Sequence, residues 1–77
     1  MKNIKQFDMV IVLKDKTFEY KKAETIVKKG TLGYVTDIIH NDNLPTGYIV
    51  ELVETHIKTP VFVFYENEID FYQAKPN

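Results

Sequence analysis

Lys29-Gly30-Thr31-Leu32-Gly33-Tyr34-Val35-Thr36-Asp37-Ile38-Ile39 places two glycines three apart at the mouth of a β-branched and aromatic run. A sharp approach to a coiled strand needs residues that tolerate positive φ or close backbone contact, and glycine supplies both. The run from Tyr34 to Ile39 is too rich in branched and aromatic residues to favour a helix, so it reads as a strand. A phosphate cradle would require a helix after the glycines, and a strand follows instead. Gly30 and Gly33 are therefore read as structural turn residues.

Working outward, Asp8–Leu13 (DMVIVL) is a short apolar run bounded by charges and reads as a first strand. Between it and the glycines lies Lys14–Lys29, with six lysines, several acids and apolar residues at Phe18, Tyr20, Ala23, Ile26 and Val27. No clean period runs through this segment. A long excursion loop with strand-like arms and a turn of helix both fit. Beyond the glycines, His40–Gly47 (HNDNLPTG) reads as a hairpin connection and Tyr48–Val53 as the next strand. Glu54–Pro60 is a second polar connection, with its proline before a strand rather than inside one. Val61–Tyr65 (VFVFY) is a fourth strand, Glu66-Asn67-Glu68 a tight acidic turn, and Ile69–Tyr72 a short fifth strand. Gln73–Asn77 reads as a frayed tail.

These elements predict one all-β domain over residues 1–77, a small five-stranded SH3-like barrel with a long first excursion loop. An OB-type barrel would want longer strands and a helix; a small α+β sheet would require residues 18–28 to be helical. Lys29-Gly30-Thr31-Leu32-Gly33-Tyr34-Val35 has the pattern K-G-x-x-G-x-V. That pattern resembles the lysine-glycine turn of KOW-type small barrels; the wider order adds Asp8-x-Val10-x-Val12 before it, Tyr48-x-Val50-Glu51-Leu52 after it and Ile69 near the end. Over nearly the whole chain it is similar to an uncharacterised bacterial family of SH3-like barrels (DUF4926-like). The resemblance implies a fold and no reaction, and the Lys14–Lys29 excursion is longer than that pattern leads one to expect.

Composition narrows the function. Cysteine is absent, so neither a disulfide nor a thiolate metal site staples this small core. Serine is absent as well, which removes the second common side-chain nucleophile. All ten basic residues are lysines and the formal net charge is −1. Without arginine for bidentate phosphate and base contacts, a dedicated nucleic-acid binder is disfavoured. His40 and His56 sit in polar connections with no metal-ligand spacing. The carboxylates Asp37, Glu51, Glu54, Glu66 and Glu68 have no positioned partner that would make an acid/base pair. No enzyme, cofactor or metal is expected. Lys2 and Lys5 precede no apolar leader segment, and charges interrupt the first hydrophobic run, so a cytoplasmic protein is expected.

The positive signal is an excess of apolar surface. Alternation groups Val10 and Val12 with Tyr48, Val50 and Leu52, and with Val61, Val63 and Tyr65. Yet the opposite positions are apolar too: Met9, Ile11 and Leu13, Ile49 and Val53, Phe62 and Phe64. Strands apolar on both faces need cover, from the excursion or from a partner chain, identical or not. The leading expectation is a non-enzymatic protein-interaction module, in one form a small immunity or antitoxin-type inhibitor. Its candidate contacts are Phe18, Tyr20, Tyr34, Ile49, Glu51, Phe62, Phe64, Glu66 and Glu68. The acids beside strand ends (Glu51, Glu54, Glu66, Glu68, Asp70) would mimic a nucleic-acid backbone. The alternative is a nucleic-acid- or ribosome-associated accessory barrel using Tyr34 and the lysines of Lys14–Lys29, with Phe18 and Tyr20 among them.

Overall fold

The computed structural model describes residues 3–53, 57 and 60–73. Seven strands appear in chain order: β1 (Met9–Val12), β2 (Lys16–Tyr20), β3 (Ala23–Val27), β4 (Leu32–Asn41), β5 (Leu44–Leu52), β6 (Val61–Tyr65) and β7 (Ile69–Phe71). A single 3-10 turn, Glu66–Glu68, joins β6 to β7, and no α-helix occurs among the described residues. The chain is all-β, as its branched and aromatic runs predict. Five strands form one sheet in the order β6-β5-β4-β1-β7, and β2 and β3 pair separately. Every pairing is antiparallel. The sheet is open, because its edge strands β6 and β7 do not pair with each other. A hydrogen-bonded barrel closure is thus not part of the described fold.

The long excursion is a hairpin rather than a loop. Tyr20 opposes Ala23 across a two-residue turn. Lys21 and Lys22 occupy that turn with φ of 49° and 66°. Two consecutive left-handed residues match the twist of the flanking strands, but lysine pays a Cβ clash there that Asn-Gly would avoid. Lys21→Asn with Lys22→Gly is therefore expected to stabilise the fold by about 1–2 kcal/mol, read as a higher urea midpoint. An unchanged or lower midpoint would refute the left-handed turn. At the base, Asp15 accepts the Lys29 N–H at 2.7 Å, and the Gly30 N–H donates to the Val12 carbonyl at 2.8 Å. These bonds tie the hairpin's two ends to β1.

The glycines divide their work. Thr31 N–H donates to the Lys28 carbonyl at 3.1 Å, closing a β-turn with Gly30 at its third position and φ of 91°. That geometry demands glycine. Gly33 lies inside β4 rather than in the turn, paired with Val10 on one side and Leu52 on the other. A Cβ there would meet Val50 Cγ1 at 2.6 Å and the Glu51 carbonyl oxygen at 2.8 Å. The strand thus starts at Leu32, two residues before the expected Tyr34.

The connection expected over His40–Gly47 is also shorter than its composition suggests. β4 and β5 run on to an Asn41–Leu44 pair and turn at Asp42-Asn43. Pro45 sits within β5, beyond Gly47↔Tyr65, the last pair that β5 makes with β6. Its missing N–H therefore leaves no ladder bond unmade. The last strand ends at Phe71, although the Tyr72 N–H still reaches the Met9 carbonyl at 3.0 Å.

The core is Ile4, Val10, Val12, Val27, Val35, Tyr48, Val50, Leu52, Phe64 and Ile69. Register decides which face of β6 joins it. Tyr48 opposes Phe64 and Val50 opposes Phe62, so Phe64 and Phe62 turn inward. Val61, Val63 and Tyr65 point outward and are exposed. This reverses the grouping that alternation alone suggested for β6, since Val61, Val63 and Tyr65 do not share a face with Tyr48, Val50 and Leu52. No helix among the described residues is long and apolar enough to cross a membrane.

Candidate functional site

The β2–β3 hairpin covers part of the inner face. Phe18 lies 4.6 Å from the Phe62 ring and 5.3 Å, edge-on, from the Phe64 ring. Aromatic pairs at such distances favour tilted and edge-to-face contacts. Lys16 fastens the same strand to β6. Its ammonium meets the Glu68 carboxylate at 2.7 Å and the Val63 carbonyl at 3.2 Å, and lies within 5.4 Å of the Phe18, Phe64 and Tyr65 rings. An ammonium over aromatic faces is attracted by their quadrupoles. Glu68 also accepts the Tyr65 N–H at 2.8 Å.

Further along, the hairpin and β6 part. A groove of about 810 Å³ opens there, walled by Phe18, Tyr20 and Ala23 of the hairpin and by Ile49, Val61 and Phe62 of the sheet. Glu19, Thr25, Ile57 and Val63 complete it. Its lining is predominantly apolar, as binding grooves generally are. Among the described residues, Glu19 is the one charged group that lines it.

Of the expected contact residues, Phe18, Tyr20, Ile49 and Phe62 converge on this groove. Phe64 does not; it is fully buried and belongs to the core. The acids go elsewhere. Glu51 accepts a hydrogen bond from the Tyr34 hydroxyl, so these two candidates satisfy each other. Tyr34 opposes both Met9 and Glu51 on the outer face of the sheet. Glu68 is held by Lys16, and Glu66 begins the 3-10 turn. Glu54 and His56 fall outside the described residues. Sequence reasoning missed Ala23, Thr25, Val61, Val63 and the Lys16 clamp. The signal for Val61 and Val63 was present in the VFVFY alternation but was assigned to the wrong face.

The titrating groups follow these contacts. The hydrogen bond to Glu51, its negative charge and desolvation raise the Tyr34 phenol above the usual tyrosine range. Burial, then the Glu66 carboxylate, raise Tyr48. For Glu68, burial pushes the carboxyl upward, but the Lys16 hydrogen bond, the Tyr65 N–H and the charges of Lys16 and Lys14 together outweigh it. The net displacement is downward. A carboxyl that binds its proton less tightly when folded stabilises the fold fully above the ordinary glutamate range. That contribution is lost as pH falls through the depressed folded value. Glu68→Gln is thus expected to cost about 1–2 kcal/mol at neutral pH and to flatten the decline of urea midpoint below about pH 4.3. A variant with the wild-type acid slope would show that the Lys16–Glu68 clamp is not formed.

Among the described residues no three His, Asp or Glu side chains gather as a metal site. Compared with family models, with curated proteins and with solved structures, the chain matches none of them.

Proposed function

We propose that this chain is a protein-interaction module whose contact surface is the apolar groove between the β2–β3 hairpin and β6. The observation that carries the reading is the convergence of Tyr20, 73% exposed, with Phe18, Ile49, Val61 and Phe62 around one groove. Interface cores favour tyrosine, phenylalanine and few charges, and this lining has that composition. A scaffold of the SH3-like, DUF4926-like kind is the finer form of the fold in this reading. The strand order β6-β5-β4-β1-β7, a hairpin inserted after the first sheet strand and a 3-10 turn before the last strand support the SH3-like layout.

An inhibitor of the immunity or antitoxin type is one form such a module takes. The acidic mimicry that motivated it is weakened, because Glu51 and Glu68 are engaged by Tyr34 and Lys16. The apolar groove, rather than an acidic row, is the surface on which that form now rests. The lysine segment offers less to nucleic acid than its count suggests. Lys16 turns inward, Lys28 lies 3.9 Å from Asp15, and Glu19 and Glu24 oppose each other on the hairpin.

The test is capture from native extract on the tagged full chain and on Tyr20→Ala, at low and high salt. A stoichiometric protein that survives high salt and is lost with Tyr20→Ala is the expected result. Capture of nucleic acid alone, vanishing as salt rises, is the counterion-release signature and would overturn the proposal.

A further inference from the structure

We infer that the partner at this surface includes a second copy of the chain, joined edge to edge through β6; this rests on the interaction-module reading above. The first ground is the state of the β6 edge. Leu52 N–H donates to the Pro60 carbonyl at 2.7 Å, so by strand alternation the backbone groups of Phe62 and Phe64 face β5. Those of Val61, Val63 and Tyr65 therefore face away. Lys16 and Glu68 cap the far half, taking the Val63 carbonyl and the Tyr65 N–H. The near half, at Val61 and the Val63 N–H, has no such cap among the described residues.

The second ground is that the usual protections of an edge are missing there. Val61–Tyr65 contains no charge, no proline and no bulge, while its outward residues Val61 and Val63 are 41% and 37% exposed. An edge of this kind is a template for another strand.

The third ground is self-complementarity. A two-fold axis at Phe62 would set Val61 opposite Val63 of the other copy, twice. Each pair then exchanges N–H and carbonyl groups, the Val63 carbonyl using the lone pair that Lys16 leaves open. The two Phe62 rings would meet beside Phe18. With net charge −1 there is little self-repulsion to overcome. Beside the edge, Ile39, Leu44 and Tyr65 are also exposed, so apolar contact would extend beyond the two paired strands.

Sedimentation equilibrium on the full chain, from about 1 μM to 1 mM, tests this with two variants. Val63→Pro removes an N–H that β5 does not use, and Val61→Lys places a charge on the edge. The expected result is a reversible monomer–dimer equilibrium weakened at least tenfold by either variant, with wild-type thermal melts at equal monomer concentration. A monomer at every concentration, or a dimer indifferent to both variants, overturns the inference. Monomeric wild type that still captures a protein through Tyr20 would overturn self-association alone. Monomeric wild type that captures no protein would overturn the interaction-module reading as well.

Discussion

Gly33→Val is expected to leave the chain unfolded at room temperature, and Gly33→Ala to cost about 2–3 kcal/mol. The cause is a close approach. The position where a Cβ would stand lies 2.8 Å from the backbone oxygen of Glu51 and 2.6 Å from Val50 Cγ1. A side-chain methyl can rotate aside, but the Glu51 carbonyl is part of the β5 ladder and cannot. A domain of this size has only about 5 kcal/mol in reserve, so a branched side chain exceeds what relaxation can absorb. Gly30→Ala is the control. Nothing lies within 4 Å of its Cβ position, and the penalty is confined to its φ of 91°, or about 1–2 kcal/mol. Urea denaturation of the three variants measures the difference. A Gly33→Ala within about 0.5 kcal/mol of wild type would mean that β4 and β5 do not approach as described.

Phe64→Ala is expected to cost about 3–5 kcal/mol, the range for removing a buried aromatic ring. Phe64 is fully buried, opposes Tyr48 across the ladder and receives the edge of Phe18. Its loss would leave a cavity at the junction of β5, β6 and the hairpin. Phe64→Leu, which keeps most of the volume, should cost about 1–1.5 kcal/mol. Tyr20→Ala separates structure from contact, since a side chain so exposed should change stability by no more than about 0.5 kcal/mol. Thermal melts distinguish the cases. If Phe64→Ala melted with wild type, the inward assignment of Phe64 would fail, and its place among the contact residues would be restored.

Much of the sheet was legible because its strands are short, branched and separated by turn residues. β1, β5, β6 and β7 fall within a residue or a few of the runs that announce them. The hairpin was not legible for a physical reason. Its strands bury Phe18 in part and Val27 fully, while Tyr20 and Ile26 face water, so neither face presents a continuous apolar set. Lys21-Lys22 also carries no turn signature; the left-handed turn is enforced by the strands around it rather than by its residues.

The facing of β6 failed for a different cause. Val61, Phe62, Val63, Phe64 and Tyr65 are apolar at every position, and period-two alternation cannot orient such a strand. Register against Tyr48 and Val50 does orient it, and register is a tertiary fact. The groove inherits that uncertainty, because it exists only where the hairpin and β6 diverge. Single members such as Tyr20 and Phe62 could be named from the sequence, whereas their neighbours Ala23, Val61 and Val63 could not. Tyr34 and Glu51 were singled out separately, and their mutual hydrogen bond appears only when Tyr34 and Glu51 stand opposite each other across β4 and β5.

Amide hydrogen exchange along β6, in dilute and in concentrated protein, tests the use of this edge most directly. The account predicts slow exchange at Phe62 and Phe64 under all conditions, because their N–H groups face β5. Val61 and Val63 should exchange rapidly in dilute protein and become protected as concentration rises. Fast exchange at Phe62 with slow exchange at Val61 in dilute protein would contradict the register. Rapid exchange at Val61 and Val63 at every concentration would contradict the use of this edge as the contact between two copies.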